Sequence, residues 1–402
     1  MRKGPTEEAE DQARVWREGL ETAIRERVRQ VIEAVLQEEV EEALGARRSH
    51  RTVERRGYRH GTKARGLSLR SGPVKLAVPQ ARLVNEEGEE REWRSQLLPR
   101  YRRSSPEVEQ AVLGVYLLGG NTQRIRAALR PLLSGVPLSK SAVSRLVTRL
   151  EESYQRWRQR DLAEERIVYL YLYLDALYPK VRSGGKVVSL PVLVALGVRE
   201  SGEKVLLALA TGGAETTAAW QMLLEDLAAR QLGRPRLIIS DGSPGLKSAL
   251  ERIWPGVAHQ RCTVHKLRNL LAKAPEHAQD AVHEDYNRIV YASTQALAER
   301  ARESFLAKWR KLCPSVAASL DEAGEELLTF YRFPVSQHKS LRTTNVIERL
   351  QEEFRRRVKT QACLPSEKAA LLVFFGLFAS AQVKMRRIQG WYDLGEAPAV
   401  AA

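Results

Sequence analysis

This sequence has few cysteines and no apolar segment long enough to cross a lipid bilayer. Three Cys in 402 residues are too few for a disulfide framework, which favours a reducing compartment. The longest apolar run, Ala369 to Ala381, is shorter than the roughly 20 residues that a transmembrane helix needs. The first residues are charged and lack the apolar region of a signal peptide. We therefore expect a cytoplasmic protein that does not enter a membrane.

Acidic residues are also scarce relative to basic ones. The chain has 65 Lys and Arg against 49 Asp and Glu, a formal net charge of +16. Such an excess favours a polyanionic partner, and nucleic acid ahead of a membrane surface. The hydrophobic content of 43% is ample for buried cores, and the length allows several domains.

Residues 1–48 are dominated by one segment with helical periodicity, from about residue 11 to residue 44. Its apolar positions at spacings of four and three are Ile24, Val28, Val31 and Val35. Such a narrow seam could pair with a second copy of the chain, and we expect a homodimer. A helix packed on its own domain would show the same pattern.

Residues 49–103 form a basic region. The stretch RRSHRTVERRGYRHGTKARG is rich in cations and poor in apolar residues. We expect phosphate to bind and order it, although a solvated charged face would have the same composition. The stretch LSLRSGPVKLAVPQAR alternates polar and apolar residues as a short β hairpin does.

Residues 104–162 predict a helix-turn-helix domain. The helical segments SSPEVEQAVLGVYLL and NTQRIRAALRPLL precede the turn SGVPLS, and KSAVSRLVTRLEESYQRWRQR follows it. Two packed helices with polar faces also occur in proteins that do not bind DNA, but the net charge favours a DNA reader. The side chains expected to enter a DNA groove are Lys140, Ser141, Ser144 and Arg145.

Residues 163–265 change to an α/β pattern. The run IVYLYLYL is typical of a buried central strand, and KVVSLPVLVALGVRE and KVLLALATG predict an antiparallel meander. A helix, the strand RLIIS, a second helix and a short strand, VAHQRC, follow. This order is typical of a ribonuclease-H-like core, in which the ends of the first and fourth strands lie side by side.

The remaining residues complete this core. Residues 266–340 have helical patterns only and predict an all-helical insertion, whereas residues 341–390 predict the second part of the core, and 391–402 a tail. The expected fold class is therefore an α/β ribonuclease-H-like catalytic core, interrupted by an all-α insertion and preceded by a mainly helical DNA-binding region.

Three acidic residues stand where this fold could bring them together. Asp175 ends the first strand, Asp241 ends the fourth, and Glu348 lies in the first turn of the helix after the insertion. Two Mg²⁺ or Mn²⁺ ions about 4 Å apart can activate both oxygens of a phosphodiester cleavage. Such ions keep several waters, so three carboxylates are sufficient. We expect Asp175 to bridge the ions, with Asp241 and Glu348 each on one of them.

Each acid also has an ordinary structural interpretation. Asp175 could simply be the last residue of a strand, and Asp241 belongs to an Asp-Gly dipeptide that is common in turns. Glu348 follows Asn345 by three residues and could complete a helix capping box. Glu352 and Glu353, one turn further along, are alternative third acids. Only the conjunction of the three positions favours catalysis.

The motifs resemble those of bacterial insertion-sequence transposases of the Mutator superfamily, which have a DDE catalytic domain. The resemblance rests on RGYRHG, VPQAR, LLPRYRR, LDALYPKVR, SDGSPGLKSAL, HQRCTVHKLRNL, the dipeptide FP and RTTNVIERL, in this order over residues 50–385. It implies that Asp175, Asp241 and Glu348 are the catalytic triad, separated by an all-helical insertion after Asp241. It also implies binding to the terminal inverted repeats of the element. The chain departs from the pattern at Gln80, where Arg is usual, and at Gln351, where Asn is usual.

The stretch HQRCTVHKLRNL contains the Cys-x-x-His signature of this superfamily, Cys262 and His265. With His259 three residues earlier, a zinc site can be considered, but no second close pair of ligands follows. We expect His265 to lie beside the active site, where it contacts DNA or orients a catalytic group. The cations of this stretch and of the later helix that suit phosphate contact are Arg261, Lys266, Arg268, Arg355, Arg356 and Arg357.

The leading hypothesis is a transposase that cleaves double-stranded DNA at the ends of its element and joins the freed 3′-hydroxyl to target DNA. We expect a bacterial protein associated with the nucleoid when it is bound to DNA, and dimeric because two ends must be brought together. A non-catalytic DNA-binding regulator or domesticated transposase would not need all three acids. A ribonuclease-H-like nuclease or resolvase would not need the long basic amino-terminal region or the helical insertion.

Overall fold

The computed structural model describes residues 7–50, 52–85, 87–100, 102–117, 125, 128–129, 140–163, 169–212, 214–358, 363–379, 383 and 385–396. The chain divides into two compact units, Met1–Arg149 and Leu150–Ala402. No helix in the described ranges is long and apolar enough to cross a membrane.

The first unit begins with a long helix that packs on a hairpin. Its elements are α1 Glu7–Leu44, β1 Gly57–Leu69, β2 Gly72–Val84 and β3 Glu90–Glu92. The strands form an antiparallel sheet in the order β1-β2-β3. Leu36 of α1 packs with Leu67, Val74 and Leu76 of the hairpin. The hairpin is longer than the sequence predicted, because β1 extends back through the basic stretch to Gly57.

The predicted seam of α1 is not the face that packs on the hairpin. Ile24, Val31 and Val35 are exposed, and Val28 is half-buried. The buried face instead includes Leu36, one residue beyond the seam. An apolar stripe thus remains in contact with solvent.

The helices around the predicted helix-turn-helix are α2 Pro106–Leu117 and α3 Lys140–Arg158. Val108 and Val112 of α2 form a buried cluster with Val143 of α3. The predicted middle helix and the turn lie almost entirely outside the described residues. The helix-turn-helix therefore stays a prediction.

The second unit contains, in its described residues, a five-stranded mixed sheet and a separate hairpin. Its strands in chain order are β4 Tyr169–Leu177, β5 Lys180–Ser183, β6 Lys186–Ser189, β7 Val192–Arg199, β8 Lys204–Thr211, β9 Leu237–Ser240 and β10 His259–Arg261. The main sheet has the order β10-β9-β4-β7-β8. β4 is antiparallel to β7 and parallel to β9.

The register of the central pair of strands brings two strand ends together. Tyr173 of β4 is paired with Ile239 of β9 in the parallel direction. Asp175 and Asp241 each follow two residues later. The first and fourth predicted strands therefore lie side by side, as expected. β4 continues to Leu177, however, so Asp175 lies within the strand, paired with Val194 of β7, and the prediction that Asp175 ends the strand was wrong.

The predicted strand KVVSLPVLVALGVRE is two strands, which corrects the sequence interpretation. Pro191 separates β6 from β7, because proline has no N–H to donate to a sheet. β6 pairs with β5 in a hairpin whose turn consists of Gly184 and Gly185. Both have positive φ, 56° and 79°, as a type I′ turn requires.

Helices cover the main sheet and continue into a long helical stretch. They are α4 Thr217–Ala229, α5 Pro244–Ile253, α6 Thr263–Lys273, α7 Gln279–Val290, α8 Gln295–Leu312, α9 Pro314–Glu322, α10 His338–Leu341, α11 Asn345–Val358 and α12 Glu367–Ala379, with 3-10 turns at Glu276–Ala278, Gly324–Leu327, Thr329–Arg332, Val335–Gln337 and Trp391–Glu396. Every element between β10 and α11 is helical, in a range that is described without a gap.

The strand β4 sends alternate side chains to the two faces of the sheet. Leu172 and Leu174 join the core beneath α4 and α5, which also includes Trp220. Tyr171 and Tyr173 point to the other face, where their hydroxyls donate to Gln337 Oε1 and to the Ser340 carbonyl. Asp175 has the parity of the tyrosines, so it faces the segment that leads into α11.

The helical stretch has a hydrophobic core of its own. Tyr286 of α7, Phe305 and Trp309 of α8 and Leu320 of α9 belong to one buried cluster. Burial of each large apolar side chain contributes about 1.5–3 kcal/mol. The Tyr286 hydroxyl donates to the Thr263 carbonyl at 2.8 Å, which ties α7 to the start of α6.

Candidate active site

Asp175, in the central strand β4, and Asp241, directly after β9, form an acidic pair. The Asp175 Oδ1 accepts a hydrogen bond from the Ala176 amide at 2.9 Å. Asp241 Oδ1 accepts from the Ser243 amide at 3.0 Å. That bond closes a side-chain turn at the Asp-Gly dipeptide, so the turn interpretation and the acidic-site interpretation are compatible.

Gly242 is required at the turn after β9. Its φ is +77°, and a Cβ atom would lie 2.7 Å from Arg261 Nε. Arg261 Nε donates to the Asp241 carbonyl at 3.1 Å. A larger residue would therefore displace the side chain that holds the backbone at Asp241.

The two aspartates interact electrostatically. Burial raises the pKa of Asp175 to about 6, the charge of His265 opposes this increase, and the charge of Asp241 adds to it. A like charge close to a carboxyl group disfavours the ionised form of that group, here Asp175. A bound cation would relieve this repulsion.

Glu348 is held by two basic side chains. Its Oε1 lies 3.4 Å from His265 Nε2 and accepts a hydrogen bond from Arg268 Nη1. Ile347 and Leu350 are buried beside it, which anchors the first turns of α11. The carboxylate thus bonds to α6, and no capping bond to Asn345 is among its hydrogen bonds in the described residues.

Cys262, His265 and Thr344 connect the α6 start to the segment before α11. The Thr344 amide donates to Cys262 Sγ at 3.3 Å, and Thr344 Oγ1 lies 3.4 Å from His265 Nδ1. A hydrogen bond with Cys262 raises the pKa of His265 to about 9; burial opposes the increase, and the charges of Cys262, Asp175 and Glu348 add to it. His265 therefore lies between Asp175 and Glu348 as a cation.

The donor chemistry of the site suits a hard divalent cation. Carboxylate oxygens are the ligands that Mg²⁺ and Mn²⁺ prefer. Across the described ranges, however, no three His, Cys, Asp or Glu side chains converge on one metal-sized site. Asp175 and Asp241 supply an oxygen pair, and Glu348 is engaged with His265 and Arg268. Zinc binding at Cys262 likewise has no cluster of ligands in those ranges.

Arg261 and Lys266, which the sequence suggested as phosphate contacts, are buried. Both bond to Glu322 of α9: Arg261 Nη1 at 2.7 Å and Lys266 Nζ at 2.9 Å. Burial alone would raise the pKa of Glu322, but hydrogen bonds from the two cations outweigh it and hold the pKa at about 2. This triad joins the sheet edge to the helical stretch.

The other predicted DNA contacts are mostly on the surface. Arg268 is 60% exposed, and Arg355 and Arg356 of α11 are exposed. Ser144 and Arg145 of α3 are also exposed. The side chains that lie outside the described residues are Lys140, Ser141 and Arg357.

The structure adds one acid that the sequence reasoning missed. Glu215, in the loop before α4, accepts hydrogen bonds from Tyr178 Oη, from Trp220 Nε1 at 3.1 Å and from Ser243 Oγ at 3.4 Å. Ser243 is also the partner of Asp241. Glu215 belongs to no periodic pattern, and only its place between a strand and a helix could have indicated it.

Comparison with known proteins assigns the family. The family model for the transposases of the Mutator family matches residues 3–386. The transposase for insertion sequence element ISRM5 of Rhizobium meliloti is 36% identical over 352 residues, 87% of this chain and 85% of its own. The transposase for IS406 of Burkholderia multivorans is 34% identical over 338 residues, 84% of each chain. The transposase for IS256 in Tn4001 of Staphylococcus aureus is 30% identical over 346 residues, 85% of each chain. The resemblance seen in the motifs is thereby confirmed, and the chain belongs to the Mutator family of transposases.

Proposed function

We propose that this protein is a DDE transposase, which binds the terminal inverted repeats of its insertion sequence and catalyses DNA strand cleavage and strand transfer. The observation that carries the proposal is the acidic pair of Asp175 and Asp241, on two neighbouring parallel strands of a Mutator-family chain. Glu348 completes the set from α11, within reach of His265.

The sheet supports a ribonuclease-H-like core. Three antiparallel strands, β8, β7 and β4, continue into the parallel strands β9 and β10. The helical stretch from Thr263 to Leu341 then takes the part of the all-helical insertion. The chain returns to the sheet with α11, which carries the third acid.

Asp175, Asp241 and Glu348 would hold two Mg²⁺ or Mn²⁺ ions. Such ions, when bound, activate the attacking oxygen and stabilise the leaving oxygen of a phosphodiester. Asp175 and Asp241 contribute adjacent oxygen ligands whose repulsion a cation relieves. His265 positions Glu348 through the contact of Nε2 with Oε1.

The proposed DNA contacts are exposed cations, considered separately on each unit. In the first unit Arg145 on α3 faces solvent, and in the second Arg268 and Arg355 do. The buried cations Arg261 and Lys266 are assigned instead to the triad with Glu322.

We further propose a homodimer. The exposed apolar stripe of α1, which includes Ile24, Val31 and Val35, has the four-three spacing that pairs helices in a coiled coil. A second copy of this chain is the occupant that fits such a seam.

The decisive experiment uses linear DNA that carries the ends of the element. Wild type and Asp241→Asn are incubated with it in Mg²⁺, in Mn²⁺ and in EDTA. We expect metal-dependent cleavage at a defined end by wild type alone. Tight binding by wild type without cleavage in either metal would contradict catalysis and support the non-catalytic regulator.

A further inference from the structure

A pocket lies on a different face of α11 from the one that carries Glu348. Its volume is about 790 Å³, and it is lined by the start of β8, the segment from α10 to α11, one side of α11, and the chain around Arg386. Its cationic lining residues are Lys204, Lys339, Arg349, Arg386 and Arg387. Successive helical residues diverge by about 100°, so Glu348 points to α6 while Arg349 lines this α11 pocket.

Most of the positive charge in the α11 pocket is not neutralised. Lys339, Arg349 and Arg386 have no acidic partner within 4 Å in the described part of the chain. Arg387 stacks on Trp391 at 4.5 Å from the ring centroid and lies 3.9 Å from Glu203.

The acids of the pocket do not offset these cations. Glu352 and Glu353 also line it, but Glu353 pairs with Arg356, which is not among the lining residues, at 2.9 Å. Five cations therefore face two carboxylates, one of which is already engaged. The pocket attracts an anion.

Lys204 is the most enclosed of the cations. It is half-buried, and its Nζ donates to the Arg386 carbonyl at 2.8 Å. Burial and the nearby charge of Arg349 lower the pKa of Lys204 to about 8. A partly desolvated ammonium beside another cation is unfavourable unless an anion completes the site.

The lining favours a phosphate group over a nucleobase. Tyr173 is the one aromatic residue among the described lining residues; its ring is buried in the sheet and its hydroxyl donates to Ser340. No ring in this lining therefore offers a free face on which a base could stack. The exposed side chains of Lys339, Arg386 and Arg387 suit a phosphate backbone that passes across the opening.

We propose that the α11 pocket binds a backbone phosphate of the DNA whose cleavage is assigned to Asp175, Asp241 and Glu348. The inference rests on the proposed function. Because Glu348 and Arg349 are neighbours on one rigid helix, a phosphate held by Arg349 sets the register of that DNA relative to Glu348. The pocket is thus a positioning site for the DNA. The phosphate it holds belongs either to the complementary strand or to the cleaved strand, a short distance from the cleavage site.

The first test measures the salt dependence of DNA binding. Lys204→Gln and Arg349→Gln are compared with wild type on a duplex that carries the element end. Each variant is expected to bind about tenfold more weakly, and the slope of log K against log salt is expected to decrease by about 1. Lys204→Arg, which keeps the charge, is expected to retain the slope.

The matched control is Arg252→Gln. Arg252 is an exposed arginine of α5, which packs on the opposite face of the sheet, and its loss removes the same charge from the protein. Its affinity and slope are expected to equal those of wild type. If the pocket variants, folded by circular dichroism, also equal wild type, the pocket assignment fails while DNA binding stands. If wild type does not bind the duplex, both the pocket and the proposed function fail.

The second test probes Lys204 directly. Because part of the Lys204 population is uncharged near pH 8, an amine-reactive reagent labels it, and peptide mass spectrometry follows the labelling. The duplex is expected to protect Lys204 but not exposed Lys311 of α8. Equal labelling with and without the duplex would overturn the proposal. Protection by micromolar deoxynucleoside monophosphate would overturn it in favour of a free-nucleotide site.

Discussion

Three carboxylates carry the proposed chemistry, and their surroundings differ. Burial raises the pKa of Asp175, and the charge of Asp241 adds to this increase, whereas Glu348 is bonded to His265 and Arg268. The acids that repel each other form the natural pair of oxygen ligands. The third is paired with two basic side chains of α6.

Neutral isosteres of these acids test their roles. Asp175→Asn and Glu348→Gln are expected to lower the cleavage rate by about a thousandfold or more, because each removes a charge that the reaction needs. DNA binding, measured by mobility shift, is expected to change little. Glu352→Gln, one turn along α11, is the matched control; loss of cleavage in this variant, with cleavage kept in Glu348→Gln, would identify a different third acid.

The triad of Arg261, Lys266 and Glu322 is expected to stabilise the second unit. Glu322→Gln leaves Lys266, whose side chain is 1% exposed, without a carboxylate. Because Glu322 is itself 52% exposed and solvent screens the interaction, we expect a loss of about 1–2 kcal/mol, measured by urea unfolding. Asp321→Asn, whose partners Arg302 and Arg310 are nearer the surface, should lose less than about 1 kcal/mol.

The interaction of Glu322 with Arg261 and Lys266 also makes the stability of the protein depend on pH. The pKa of Glu322 is about 2 in the folded protein and about 4.3 when unfolded. Its stabilising contribution is therefore complete above pH about 4.3 and disappears as the pH falls toward 2. The stability difference between wild type and Glu322→Gln should be constant from pH 6 to 5 and shrink below pH 4. A difference that grows on acidification would contradict this assignment.

At the scale of elements, α3 carries the predicted sequence reader. Arg145 is exposed, whereas Arg149, one turn later, pairs with Glu109 at 2.6 Å. We expect Arg145→Ala to weaken binding to the terminal repeats by about tenfold or more, with Arg149→Ala close to wild type. Competition with unrelated duplex DNA is the measurement. If wild type prefers the terminal repeats and the Arg145 variant binds repeats and unrelated DNA equally well, base recognition is assigned to α3.

The elements of the sheet were largely predictable because their patterns are local. IVYLYLYL and RLIIS are short apolar β-branched runs, and strand order follows from the helices between them. The break at Pro191 was readable from proline chemistry. The buried face of α1 was not, since two faces of the helix carry apolar residues and only the hairpin decides between them.

The site was predictable in part. Asp175 and Asp241 each lie two residues beyond a paired position of two parallel strands, so their proximity follows from topology. The bonds of Glu348 with His265 and Arg268 depend on how α6 packs against α11. Arg268 and Glu348 are 80 residues apart in the sequence, and no local pattern encodes such a contact. Glu215 and the burial of Lys266 depend on the same tertiary packing.

At the scale of the whole molecule, metal binding should be visible without any DNA. Mg²⁺ at about 100 times its dissociation constant would stabilise the protein by about 2.7 kcal/mol, which raises the thermal midpoint by several degrees. We expect this increase in wild type and not in Asp241→Asn, by scanning calorimetry. NaCl at matched ionic strength controls for screening; an equal increase with NaCl would remove the metal interpretation.

The helical stretch between β10 and α11 also has a consequence in time. Both aspartates are synthesised before it, and Glu348 follows roughly a hundred residues after Asp241, or about 5 to 20 s at bacterial elongation rates. During that interval the helices can fold around their own hydrophobic core, while Asp175 and Asp241 are present and Glu348 has not yet been synthesised. If Asp175, Asp241 and Glu348 are the catalytic set proposed above, a chain released before Glu348 is made therefore lacks one of the proposed metal ligands.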